Sequence, residues 1–166
     1  MRTLLVTVGS TKFDGLIERI QHEEFNEFVN RLSIKKIVIQ HGKSKAPLLK
    51  EFNGTCEIID YFDPNEMSRL LKEATIIISH GGAGTIFEVL RSKNQNLEAF
   101  IVVENESLMD GHQSELIDSL LKIKCPIKRA NLMTLFDFEG TSGIQQFVLP
   151  APNNTMLVSL INKYMN

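Results

Sequence analysis

Between the apolar run Ala74 to Ile78 and the helix-like run Ile86 to Arg91 stand seven residues, Ser79-His80-Gly81-Gly82-Ala83-Gly84-Thr85. Three glycines in four residues at a strand-to-helix junction narrow sharply what the segment can build. The first N–H groups of a helix have no partner inside it, and its dipole presents positive charge there, so a phosphate group can dock without lysines. Glycine lets the backbone come close to such a ligand and adopt positive φ. A lone glycine cluster is equally compatible with a bare tight turn. The rest of the chain has to decide between them.

Short apolar runs alternate with helical patterns along most of the sequence. Thr3 to Val8, Lys36 to Gln40, Glu57 to Tyr61, Thr75 to Ser79, Ala99 to Val103 and Pro126 to Arg129 read as buried strands bounded by turn residues. Helices are expected over Phe13 to Leu32, Pro64 to Lys72, Ala83 to Arg91, Asp110 to Leu121 and Thr155 to Tyr164. This is an α/β pattern, a Rossmann-like doubly wound parallel sheet, in which ligands sit at the carboxyl ends of the strands. The glycine cluster lies at such an end. Residues 1–136 read as one domain; 137–166 read as an irregular segment, glycine- and proline-bearing to Asn154, and a C-terminal helix that packs on the domain or on a partner.

Composition excludes several classes. A net charge of −2 over 166 residues gives none of the basic footprint that nucleic acid demands. Cys56 and Cys125 both stand in strand-like apolar contexts suited to buried free thiols, with no disulfide or metal spacing. No apolar stretch reaches membrane-spanning length, so the chain reads as cytosolic, with any membrane link made through a partner. Neither G-x-S-x-G nor H-E-x-x-H occurs, and no P-loop is present.

Four constellations could bind a ligand. Gly9-Ser10-Thr11-Lys12 ends the first strand with amides and hydroxyls but lacks dinucleotide glycine spacing. Glu88 stands four residues after Gly84, hence on the same helix face, where a carboxylate could hold both hydroxyls of a ribose or lie solvated on an amphipathic helix. Asn105 to Gln113 opens another helix. Asp110 and Gln113 have capping-box spacing, and His112 with Gln113 would face the same crevice. His80, adjoining the glycines, fits a structural residue as well as a ligand contact.

Three segments together, Val6 to Asp14, Ile78 to Thr85 with Glu88, and Asn105 to Leu116, resemble the signatures of one family. It is the catalytic, donor-binding subunit of the eukaryotic two-subunit UDP-N-acetylglucosamine transferase, a GT-B, glycosyltransferase family 28-like protein that adds the second GlcNAc to dolichol-diphosphate-GlcNAc in N-glycosylation. The resemblance implies an inverting, metal-independent enzyme with UDP-GlcNAc as donor substrate and no cofactor. It implies a heterodimer with a membrane-anchored, acceptor-binding subunit that recruits this chain to the cytosolic face of the endoplasmic reticulum, where the lipid-linked GlcNAc-diphosphate acceptor lies. Carried over by position, it puts the diphosphate near Gly82, Ala83, Gly84 and Thr85, the ribose on Glu88, and the GlcNAc or its phosphates near His112 and Gln113. Gly9, Ser10, Thr11, His80 and Asn105 complete the implied donor set, with Ser10 and Thr11 facing the cleft between subunits. His112 is the implied catalytic candidate in this chain, and the general base is expected in the partner.

The chain departs from the family pattern in three places. Ser10 stands where threonine is usual, Gly111 where asparagine is usual, and the segment 93–99 is longer than the usual link and lacks its proline. The insertion is expected at the amino end of the following strand, away from the site. The alternative to a catalytic subunit is a non-catalytic nucleotide-sugar-binding regulatory module.

Overall fold

The computed structural model describes residues 1–50, 52–105, 112–139 and 155–165. Its elements are β1 (Thr3–Thr7), α1 (Asp14–Arg19), α2 (Glu23–Arg31), β2 (Lys36–Gln40), β3 (Thr55–Ile59), α3 (Pro64–Glu73), β4 (Ile76–His80), α4 (Ala83–Arg91), β5 (Ala99–Val103), α5 (His112–Lys122), β6 (Lys128–Ala130) and α6 (Thr155–Met165). The strands form one parallel sheet in the order β3-β2-β1-β4-β5-β6. Strand order reverses between β1 and β4, so a crevice opens at their carboxyl ends.

Alternation along each central strand feeds two separate cores. Leu4, Val6, Ile37, Ile39, Ile76, Ile78, Ile101 and Val103 pack under α1 and α2. Leu5, Val38, Ile77, Phe100 and Val102 face the opposite way, under α3, α4 and α5. Helices on both faces leave no wet side, which is why these strands read as continuous apolar runs.

Three expectations are corrected, one at the start of the chain and two at the sheet edge. The single helix expected over Phe13 to Leu32 is two, α1 and α2. His22 is extended (φ −83°, ψ 161°), and Glu23 and Glu24 then suit a fresh helix N-terminus. Arg19 reaches across the break to Glu24 at 3.0 Å. The third strand runs Thr55–Ile59, two residues earlier than expected, because the chain turns at Asp60, whose carboxylate accepts from the Tyr61 N–H. As an edge strand β3 leaves Cys56 exposed, contrary to the buried thiol expected; Cys125 is buried, and burial raises its pKa to about 11.

After β6 the chain folds back over α1 and α2. Arg19 Nε donates to the Leu132 carbonyl at 3.0 Å, Arg31 donates to the carbonyls of Phe136 and Phe138, and the Phe136 ring sits 5.3 Å from that of Phe28. The helix α6 lies on the other face, where Leu157, Leu160, Ile161 and Tyr164 meet the core beside α4 and α5. Residues 140–154, expected to be irregular, lie outside the described residues. The 93–99 segment enters β5 at the amino edge, and buried Asn94 donates to the carbonyls of Leu71 and Ala74 at 2.8 and 2.7 Å, closing the end of α3. Its role there is structural.

Candidate functional site

Two turns meet at the crevice. After β1, Gly9 takes φ +61°, and Thr11 N–H and Oγ1 both return to the Val8 carbonyl. After β4, Gly82 caps α4 in extended conformation without any side-chain cap, and no acidic residue stands in the first turn. The first backbone bond into that helix runs from Ile86 N–H to Gly82 O. Helix geometry therefore leaves the N–H groups of Ala83, Gly84 and Thr85 unused and the dipole end uncompensated.

The glycines are needed for space at different places. A Cβ on Gly9 would lie 3.1 Å from His80 Cε1 and 3.3 Å from Thr85 Oγ1, so the two turns pack directly on each other. A Cβ on Gly82 would collide with His80 Nε2. Gly84 has nothing within 4 Å of its Cβ position, which leaves open room above the free N–H groups.

A cleft of about 520 Å³ runs from this point between α3 and α4. Gly9, Ser10, Gly84, Thr85 and Glu88 line one side of it, and Glu88 stands one helical turn below Gly84 as the i,i+4 spacing requires. The opposite wall was not legible in the sequence: Gln40 from the end of β2, Tyr61 and Phe62 after β3, and Met67, Ser68 and Leu71 from α3. The one local signal was Gln40, a polar residue ending a buried strand; it accepts a 2.6 Å hydrogen bond from Thr7 Oγ1. Tyr61 is 56% exposed and offers an aromatic face at the mouth.

His80 lies beneath both turns. It is 6% exposed, and its Nδ1 is buried without a hydrogen-bond partner among the described residues. Burial pushes its pKa down, opposed by the Thr7 backbone, so the ring is neutral at pH 7.

The third expected segment divides. Gln113 Oε1 accepts from the Asn105 N–H at 3.2 Å and lies against Gly81, where a Cβ would come within 2.7 Å of it. This carboxamide ties Asn105, just after β5, to the glycine turn. His112 is exposed at the start of α5 and does not line the cleft, and Asn105 lines a different cavity beside Phe13 and Leu132. Thr11 likewise stands outside the cleft that Gly9 and Ser10 line. Asp110 and Gly111 lie outside the described residues.

The sequence from residue 3 to residue 137 matches the glycosyltransferase family 28 C-terminal domain. The chain belongs to that family. Among relatives of this family 28 chain is a protein of Cryptococcus neoformans var. neoformans serotype D (strain JEC21) named UDP-N-acetylglucosamine transferase subunit ALG13. It is 31% identical over 148 residues, spanning 72% of this chain and 73% of the relative. A human protein of the same name is 31% identical over 125 residues, 74% of this chain but only 10% of that longer relative. The solution NMR structure of an ALG13 protein superposes with a TM-score of 0.69 over 99% of this chain and 98% of that one; at 19% identity it shows the shared Rossmann-like fold. No helix among the described residues of the family 28 chain is long and apolar enough to cross a membrane.

Proposed function

We propose that this glycosyltransferase family 28 chain is the donor-binding, catalytic subunit of a two-subunit transferase that moves GlcNAc from UDP-GlcNAc to a lipid-linked GlcNAc-diphosphate. The observation that carries the reading is the uncapped N-terminus of α4, open above Gly84, with Glu88 one turn below in the same cleft. The diphosphate docks on the N–H groups of Ala83, Gly84 and Thr85. Glu88 accepts from the ribose hydroxyls, and the nucleobase lies against Tyr61, Phe62 and Met67. The sugar then projects towards the Gly9–Ser10 turn, where the acceptor hydroxyl must arrive.

On this reading the chemistry is inverting and needs no metal ion. Negative charge grows on the departing UDP as the glycosidic bond breaks, and preorganised amides at the α4 dipole stabilise it. His80 packs beneath the turn and, with its ring filling the space under Gly82, holds the glycine backbone in place. His112 and Gln113 open α5 near the same edge and serve the sugar side; the acceptor and the general base belong to a membrane-anchored partner that brings this chain to the cytosolic face of the endoplasmic reticulum. The names of the relatives, which call each a transferase subunit, support this assembly.

The test is to co-express the chain with a candidate membrane-anchored partner and measure GlcNAc transfer to a GlcNAc-diphosphate-lipid. Transfer that needs both chains and UDP-GlcNAc supports the reading. Donor binding without transfer in any such complex would point to a nucleotide-sugar-binding regulatory module instead.

A further inference from the structure

The floor of the donor cleft carries a carboxamide whose orientation is fixed from beneath. Thr7 and Gln40 are paired in register at the ends of β1 and β2, and both are buried, at 0% and 2% exposure. The Gly9 N–H donates to Thr7 Oγ1 at 3.0 Å, and the Thr7 hydroxyl donates in turn to Gln40 Oε1 at 2.6 Å. A hydroxyl has one hydrogen to give, and a carboxamide turned the other way round would leave it without that acceptor. Gln40 therefore presents its oxygen to Thr7 and its amino group to the opposite side.

On that side lies the cleft. The two hydrogens of Gln40 Nε2 bond to nothing among the described residues, and the side chain lines the cavity between α3 and α4. A buried amide donor is matched by an acceptor, and here the acceptor has to come from whatever fills the cleft. The sheet order decides which part of a nucleotide arrives there. From the bare N-terminus of α4, after β4, the cleft passes the β1 turn and then the end of β2 before it reaches Tyr61 and Phe62 beyond β3. Two strand spacings, roughly 10 Å, separate β4 from β2. That is the step from a nucleotide's diphosphate to its base.

We infer that Gln40 selects the base, donating from Nε2 to the 4-carbonyl oxygen of uracil, with Thr7 as the positioning residue that keeps the donor side of the carboxamide towards the ligand; the assignment rests on the proposed function, in which the nucleotide is UDP. The edge of a pyrimidine farthest from its ribose is the one that enters deepest. In uracil that edge carries an acceptor oxygen. In cytosine it carries an amino group, whose N–H would meet the N–H of Gln40. A site built to hydrogen-bond one group rejects the analogue that lacks it, so discrimination against cytidine follows from the orientation of a single uncharged side chain.

The full chain is titrated calorimetrically with UDP and with CDP, as wild type, as Gln40→Met and as Thr7→Val, substitutions of similar volume that remove the amide and the hydroxyl. The wild type should bind UDP about tenfold or more tightly than CDP. Gln40→Met should weaken UDP by a similar factor and leave CDP little changed, so that the preference disappears. Thr7→Val frees the carboxamide to turn its oxygen to the cleft, where it accepts from the cytosine amine, and should narrow the preference by strengthening CDP. The readout is the ratio of two affinities in one protein sample, which damage to the fold does not shift. A merely structural role would weaken both nucleotides together, and a ratio left intact by either variant overturns the inference. Equal wild-type affinity for UDP and CDP overturns it without any variant. In both cases UDP still binds and the donor reading stands, whereas a wild-type chain that binds neither nucleotide overturns the donor reading and this inference with it.

Discussion

The imidazole Nε2 of His80 occupies the space where a side chain on Gly82 would begin. The last residue of β4 thus dictates the residue that caps α4, and the packing keeps the helix N-terminus bare. A larger residue at position 82 would have to displace a ring that has no room to leave, since Gly9 closes its other side.

Gly82→Ala should therefore destabilise the chain by about 1–3 kcal/mol, the scale of an overpacked site. In a His80→Ala background the same substitution should cost clearly less, because the colliding ring is gone. Thermal unfolding of the single and double variants gives the coupling; additive effects would refute the contact.

Glu88→Ala is expected to act on the ligand and spare the fold. The carboxylate lies in the cleft and is exposed. Its melting temperature should stay within error of wild type, and UDP affinity should fall by about 1–3 kcal/mol, the worth of hydrogen bonds to a charged group. Calorimetry with UDP and UDP-GlcNAc measures it.

The His80 ring makes stability depend on pH with a definite sign. Its pKa in the folded chain is depressed below the ordinary 6.5 by burial. Between the folded value and 6.5 the unfolded chain binds more protons, so stability rises with pH across that window and is lost as pH falls through it. Urea unfolding at a series of pH values should show a slope below pH 6.5 that His80→Gln reduces. A slope unchanged in the variant would mean another group is responsible.

Phe136→Ala should cost about 3–5 kcal/mol without changing UDP affinity. Its ring packs against Phe25 and Phe28, remote from the cleft, and holds the segment after β6 on α1 and α2. Chemical denaturation paired with UDP titration separates the two effects.

The limits of α4 and the ends of β2 and β5 were legible because burial on both faces writes continuous apolar runs, and because glycines punctuate the start of α4. The break between α1 and α2 was hidden: Leu16, Ile17 and Ile20 lead into Phe25, Phe28 and Val29 at spacings a single helix also produces. β3 was displaced because an edge strand lacks the two-sided burial that marks its neighbours. At the site, Gly84 and Glu88 share a face by local geometry alone, so the sequence revealed them. Tyr61, Phe62 and Met67 join them only through the order of strands in the sheet, and no spacing along the chain encodes that. The carboxamide of Gln113, expected in the crevice, lies against Gly81 of the glycine turn, a contact that no spacing along the chain encodes.

The claim that the bare α4 N-terminus seats the donor diphosphate is tested most directly by amide NMR during a titration with UDP-GlcNAc. The account predicts that the backbone N–H resonances of Ala83, Gly84 and Thr85 move downfield together as the donor is added, and that Glu88→Ala weakens the titration while leaving the same amides responsive. Binding that leaves those three resonances in place and perturbs others would contradict it.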